Sequence, residues 1–111
     1  MEKSQMDDPV IEMERQMLSA LCRAEHGEPL RHLARESLRL YRWREPAHEV
    51  IFEVLMALPT ASPEIIREQL PARITRRGFP DVSWEQLFQY PAIPISEAEE
   101  LVRRLLQSQS S

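Results

Sequence analysis

The chain is poor in the residues that most catalytic, metal and cofactor sites require. Among its 111 residues are one cysteine, two glycines and three histidines. A single cysteine, Cys22, supplies neither an internal disulfide nor a zinc-ligand pair, and suits a reducing compartment. With only Gly27 and Gly78, no phosphate-cradling loop or dinucleotide-binding turn can be written. These scarcities predict a protein without a catalytic site, a metal site or a cofactor.

The remaining candidates for chemistry are isolated. The histidines, His26, His32 and His48, are too far apart in sequence to form a local ligand pair. Glu12 and Glu14 are two residues apart on a predicted helix and therefore face different directions, which favours solvated charges over an acid and base pair. An enzyme with a site assembled over long range stays open as an alternative.

Long apolar runs are also missing, since residues 54–58 form one of the longest. This predicts no membrane-spanning segment and no secretory signal, and a cytoplasmic location. Hydrophobic residues make up 42% and charged residues 29%, the balance of one ordinary folded domain. The overall charge is −4, but residues 31–77 carry nine basic and six acidic side chains, a net +3.

Apolar residues recur at helical spacing, and prolines or capping residues mark the breaks. The predicted helices open near Pro9, Pro29, Pro46, Pro63, Ser83 and Ser96, the first stops near Gly27, and Pro71 interrupts the fourth. The last two openings have the form of a capping box, Ser83 with Gln86 and Ser96 with Glu99. The pattern predicts an all-α, compact orthogonal bundle of five to six short helices over residues 9–106, between flexible segments 1–8 and 107–111.

Two surfaces are candidates for binding. The second helix is predicted to place Leu30, Leu33, Ala34, Leu40 and Tyr41 on one face, with arginines opposite: Arg31, Arg35, Arg39 and Arg42. Guanidinium groups pair with phosphates, so this arginine face suggests a nucleic-acid regulator; neighbouring glutamates favour a solvated face instead. The third helix has a core stripe of Ala47, Val50, Ile51, Val54, Leu55 and Leu58. Phe52 and Met56 lie off that stripe, so with Tyr41 and Trp43 they are predicted to bind a partner, or else to form a second core layer.

The order of these elements resembles the N-terminal helical domain of DnaB-type replicative helicases, which is similar to the helicase-binding C-terminal domain of bacterial primases. The resemblance rests on Glu14, Met17, Leu18 and Leu21, and most clearly on Leu40, Tyr41, Trp43, Pro46, His48, Ile51, Phe52, Leu55 and Leu58. Ile66, Leu70, Gly78 and residues 98–106 match more loosely. The segment 60–66, with Pro63, departs from the family's pattern, and no ATPase domain is present in these residues.

The resemblance implies docking at a replication assembly or self-association, with His48 as a structural histidine. We therefore predict a non-catalytic protein-interaction module without a cofactor, whose partner is another protein or a second copy. Nucleic acid is the alternative partner, and neither a membrane nor a small-molecule substrate is expected.

Overall fold

A computed structural model describes residues 9–23, 27–58, 62–79, 82 and 84–110. Its helices are α1 (Pro9–Arg23), α2 (Gly27–Ser37), α3 (Pro46–Ala57), α4 (Pro63–Arg76), α5 (Trp84–Gln89) and α6 (Ile95–Ser110). No strand occurs in the residues described. The radius of gyration of 13.4 Å matches the ~13 Å typical of a folded domain of this length. The predicted all-α bundle is confirmed. None of the described helices is long and apolar enough to cross a membrane.

Helix α1 is the centre of the bundle, because it packs against each of the other five helices. Its inward face repeats at i, i+4, i+7, i+8 and i+11, which is the spacing of one helical stripe. That stripe consists of Val10, Glu14, Met17, Leu18 and Leu21, all buried. Four of the five are apolar, and the fifth is a glutamate at the level of the connection between α2 and α3.

Helix α3 forms as predicted, with Pro46 in its first turn, where the missing N–H costs nothing. Ile51, Val54 and Leu55 are buried. Helix α4 differs from the prediction, because Pro71 lies inside it and does not interrupt it. A proline inside a helix removes one hydrogen bond and costs about 3 kcal/mol. Leu70 and Ile74, on either side of Pro71, are fully buried, and their packing offsets that cost.

The ends of α2 also differ from the predicted ones. Gly27 adopts the left-handed conformation expected of it, at φ +59°, but it is the first residue of α2. The described part of helix α1 ends at Arg23. Helix α2 stops at Ser37, so Leu40 leaves the apolar face on which it was predicted and is 82% exposed. Tyr41 is buried, but the connection that follows α2 carries it.

Helix α6 begins one residue before its predicted cap and continues past its predicted end. The carbonyl of Pro94 accepts hydrogen bonds from the backbone N–H groups of Glu97 and Ala98, so Ser96 lies inside the helix and the predicted Ser96 cap is wrong. The helix extends to Ser110, so residues 107–110, predicted to be flexible, belong to the folded domain. The predicted flexible segment 1–8 and the Ser83 cap lie outside the described residues.

Candidate docking site

The connection between α2 and α3 carries two of the four residues predicted to bind a partner. The rings of Tyr41 and Trp43 meet edge to face, with their centroids 5.0 Å apart. The ring of Trp43 also lies 5.1 Å from the ring of Phe52 on α3, at a tilt of 38°. This aromatic row places the irregular connection directly against the third helix. Contacts of this geometry contribute about 0.5–1.5 kcal/mol each beyond the burial of their area.

A single buried carboxyl group fixes the connection from beneath. Glu14 is completely buried, and its Oε2 accepts hydrogen bonds from Tyr41 Oη at 2.7 Å and from the backbone N–H of Arg44 at 2.8 Å. Its Oε1 lies 2.8 Å from His48 Nδ1, in the first turn of α3. The Glu14 side chain therefore bonds the residues on either side of Trp43 in the connection, Tyr41 and Arg44, and also bonds the first turn of α3.

The prediction that Glu14 is a solvated charge is wrong. Glu14 occupies the i+4 position of the apolar stripe that begins at Val10, so its helix directs it into the core. A buried carboxyl group is tolerated when donors satisfy its oxygens, and here three donors do so. The stripe itself was the available signal, because a glutamate among buried apolar positions requires partners from elsewhere in the chain.

Glutamate, histidine and tyrosine are common catalytic residues, but this cluster is closed to solvent. His48 is buried, as Glu14 is, and Tyr41 directs its hydroxyl group inward. Burial, followed by the hydrogen bond to Glu14, raises the pKa of Tyr41 above its ordinary value, so the phenol stays protonated and donates. The arrangement suits a structural anchor.

Above the anchored connection lies a surface groove of about 320 Å³. Its floor is apolar and aromatic, and consists of Leu38, Tyr41, Trp43, Phe52 and Met56. Its two rims carry opposite charges, because Arg35 and Arg39 approach from α2 and the turn after it, whereas Glu49 and Glu53 approach from α3. All four predicted partner-binding residues thus line one groove. Tyr41 and Phe52 are buried, while Trp43 and Met56 are only partly buried.

A second depression, of about 300 Å³, lies on the other side of α3. Val54 and Ala57 form its apolar part, and its charged lining consists of Glu53, Arg73, Arg76 and Arg77. Glu53 lines both depressions, and its carboxylate pairs with Arg77 at 2.7 Å. The two depressions therefore meet at Glu53.

The predicted four-arginine face does not exist as one surface. Arg31 is only 7% exposed, and its guanidinium group donates hydrogen bonds to the carbonyl oxygens of Met56 (3.2 Å) and Leu58. It also pairs with Glu28 at 3.4 Å. These bonds satisfy carbonyl groups that the end of a helix leaves free, so Arg31 closes the C-terminal end of α3 and is not presented to a phosphate.

The other three arginines of that face are exposed but do not share one environment. Arg35 donates to the carbonyl oxygen of Met56 at 3.3 Å, beside Arg31, and Arg39 lies on the groove rim. Arg42 lies in the connection, where its backbone exchanges hydrogen bonds of 3.1 and 2.6 Å with the side chain of Gln109 on α6. These positions follow from the end of α2 at Ser37, which breaks the helical spacing that the prediction assumed.

No cluster of three or more histidine, cysteine, aspartate or glutamate side chains suited to a metal ion occurs in the part of the chain that is described. Comparison with protein-family models, with curated proteins and with solved structures finds no match to this chain. The resemblance to helicase and primase domains stays a prediction.

Proposed function

We propose that this chain is a protein-interaction module that holds an apolar anchor of a partner protein in the groove above Trp43 and Phe52. The observation that carries the proposal is a solvent-open groove with an aromatic floor, fixed from beneath by a buried carboxyl group. Protein interfaces concentrate their binding energy in a few aromatic and arginine residues near their centre. Trp43 on the floor and Arg35 and Arg39 on the rim are residues of those types.

Preorganisation is the physical reason for expecting useful affinity from so small a groove. Both flanks of Trp43 are held by Glu14, through the hydroxyl of Tyr41 and the backbone of Arg44. Binding normally costs about 0.5–1.5 kcal/mol for each mobile side chain that becomes ordered. Because the Trp43 ring already packs against two other rings, most of that cost is met during folding.

The charges around the groove favour a protein over a nucleic acid. Glu49 and Glu53 lie on the rim that faces Arg35 and Arg39, and Arg31 is buried in the fold. A phosphate backbone laid along the groove would pass these carboxylates, and repulsion would weaken its binding. A protein segment carries charges of both signs and matches such a rim better. The resemblance to helicase domains makes a replication assembly the first place to look for the partner.

Site-specific photo-crosslinking tests the proposal in the cells that produce the protein. A photoreactive amino acid replaces Met56 on the groove floor in one variant, and replaces Ile95 in the control. Ile95 is a partly exposed apolar residue that begins α6 and lines neither depression. We expect discrete protein adducts at position 56 that are absent at position 95. Adducts with nucleic acid at position 56, or identical products at both positions, would contradict the proposal.

A further inference from the structure

The surface around α3 differs in charge from the rest of the molecule. The charged residues that line the two depressions are Arg35, Arg39, Arg73, Arg76 and Arg77, with Glu49 and Glu53 as the acids. Five arginines thus face two glutamates, although the whole chain has a net charge of −4. Because both depressions share Glu53, these positive charges border one continuous surface.

We propose that the partner is an acidic protein segment that spans both depressions. Its apolar anchor lies above Trp43, and its carboxylate side chains lie on Arg73 and Arg76 across α3. The inference rests on the proposed docking function and adds the chemistry of the partner. Guanidinium groups bind carboxylates through paired hydrogen bonds, and the surplus of arginines attracts an acidic segment from a distance.

The contacts within the second depression leave positive charge available to a partner. Arg77 pairs with Glu53, which offsets part of the negative charge of the carboxylate that the two depressions share. Arg73 donates to Gln69 at 3.0 Å, a neutral partner that keeps the full positive charge of the guanidinium group. The Arg76 side chain is exposed, and no hydrogen bond or ion pair engages its guanidinium group among the described residues. Between these arginines and the groove, Ala57 adds an exposed apolar contact.

An acidic peptide fits this surface better than a polynucleotide does. A nucleic-acid strand carries one negative charge at each nucleotide, so its spacing cannot avoid Glu49 and Glu53. A peptide places carboxylates only where its sequence has them, and can put neutral or basic residues opposite the glutamates. The arginines also lie on separate elements, α2 with its following turn and α4, with the acids of α3 between them.

The test selects ligands from a library of random linear peptides displayed on phage, with the full chain as the target. We expect the enriched peptides to combine a large apolar side chain with an excess of aspartate and glutamate. Their affinity is then measured by fluorescence polarisation for the parent, for Met56→Glu and for the double variant Arg73→Glu/Arg76→Glu. The matched control is Arg103→Glu/Arg104→Glu, which changes the net charge equally on the exposed face of α6.

We expect Arg73→Glu/Arg76→Glu to weaken peptide binding at least about tenfold, because it replaces attraction between paired charges with repulsion. We expect the control double variant to change the affinity less than about twofold. Circular dichroism checks that each variant is folded. Enriched peptides that are neutral or basic, or equal weakening by both double variants, would overturn the inference. Displacement of the peptides by a single-stranded oligonucleotide at comparable concentration would also overturn it.

The same data separate the two proposals. Peptides that lose binding to Met56→Glu but not to Arg73→Glu/Arg76→Glu would contradict the acidic-partner inference and would still support the docking function. Peptides that bind Met56→Glu as they bind the parent would remove the groove, and with it both proposals.

Discussion

Replacement of Glu14 tests how the groove is built, because this one side chain accepts hydrogen bonds from three donors. In Glu14→Ala, Tyr41 Oη and His48 Nδ1 lose their buried partner, and the backbone N–H of Arg44 loses a partly buried one. An unsatisfied buried polar group costs about 1–3 kcal/mol. With two fully buried groups and one that water reaches, we expect the free energy of unfolding to fall by about 4 kcal/mol.

Glu14→Gln is the discriminating companion, because it keeps the shape and one oxygen acceptor. The amide oxygen replaces Oε2 and accepts from Tyr41 and Arg44, while the amide nitrogen donates to His48 Nδ1 in the tautomer that leaves that atom unprotonated. We therefore expect a loss of only about 1–2 kcal/mol. A chain of this size has a total stability of about 5–15 kcal/mol, so the alanine variant is close to the limit of folding and the glutamine variant is not.

Equilibrium urea unfolding followed by far-ultraviolet circular dichroism gives these differences. In a Trp84→Phe background, the fluorescence of Trp43 reports the groove directly, and we expect its emission to shift to longer wavelength in Glu14→Ala. The control is Glu12→Ala on the same helix. The Glu12 carboxylate is exposed and accepts a hydrogen bond from Tyr90 Oη at 2.7 Å, so we expect its loss to lower the free energy of unfolding by less than about 1 kcal/mol. If Glu14→Ala costs no more than Glu12→Ala, or if Glu14→Gln costs as much as Glu14→Ala, the anchoring role of Glu14 is refuted.

Three further predictions concern other buried groups. Arg31→Lys should lower the free energy of unfolding by about 2–3 kcal/mol in urea, because an ammonium group cannot span the carbonyl oxygens of Met56 and Leu58; a loss as small as that of Arg103→Lys would contradict this. Tyr41 holds its proton more tightly when folded, so its contribution to stability is complete below the ordinary tyrosine pKa of about 10 and declines as the pH rises through that value and beyond. Tyr41→Phe should therefore flatten the fall in unfolding free energy above pH about 10, and an unchanged slope would exclude Tyr41 as its source. Burial raises the pKa of the Cys22 thiol to about 12, so a disulfide reagent at neutral pH should label the folded protein far more slowly than the urea-unfolded chain; equal rates would mean that Cys22 is accessible.

The all-α fold could be predicted because it depends on local information. In α3, the proline at the start and the stripe of Ile51, Val54 and Leu55 specify both the helix and its buried side. Such a pattern needs no knowledge of what the helix packs against. The same logic failed at Pro71, because burial of Leu70 and Ile74 against the rest of the bundle outweighs a purely local cost. It failed again at Leu40, where the end of α2 changes which side of the chain faces the core.

The candidate site was only half predictable for the same reason. Tyr41, Trp43, Phe52 and Met56 were predicted to bind a partner, Phe52 and Met56 because they lie off the core stripe of the third helix, and the four residues line one groove. Their charged rim could not be predicted, because Arg39 and Glu53 come together only through the packing of separate elements.

By itself, the sequence determined the helical fold, the apolar residues Val10, Met17, Leu18 and Leu21 of the central α1 stripe and the aromatic residues available for a groove, since periodicity and turn chemistry act over a few residues. Only the tertiary structure decided that two charged side chains, Glu14 and Arg31, are buried. Both are buried where partners more than 20 residues away in sequence converge on them. Glu14 bonds the connection and the first turn of α3, and Arg31 bonds the end of α3, where its Nε alone is left without a partner. A charge is stable inside a protein only where such partners converge, and their convergence is a property of the packed chain.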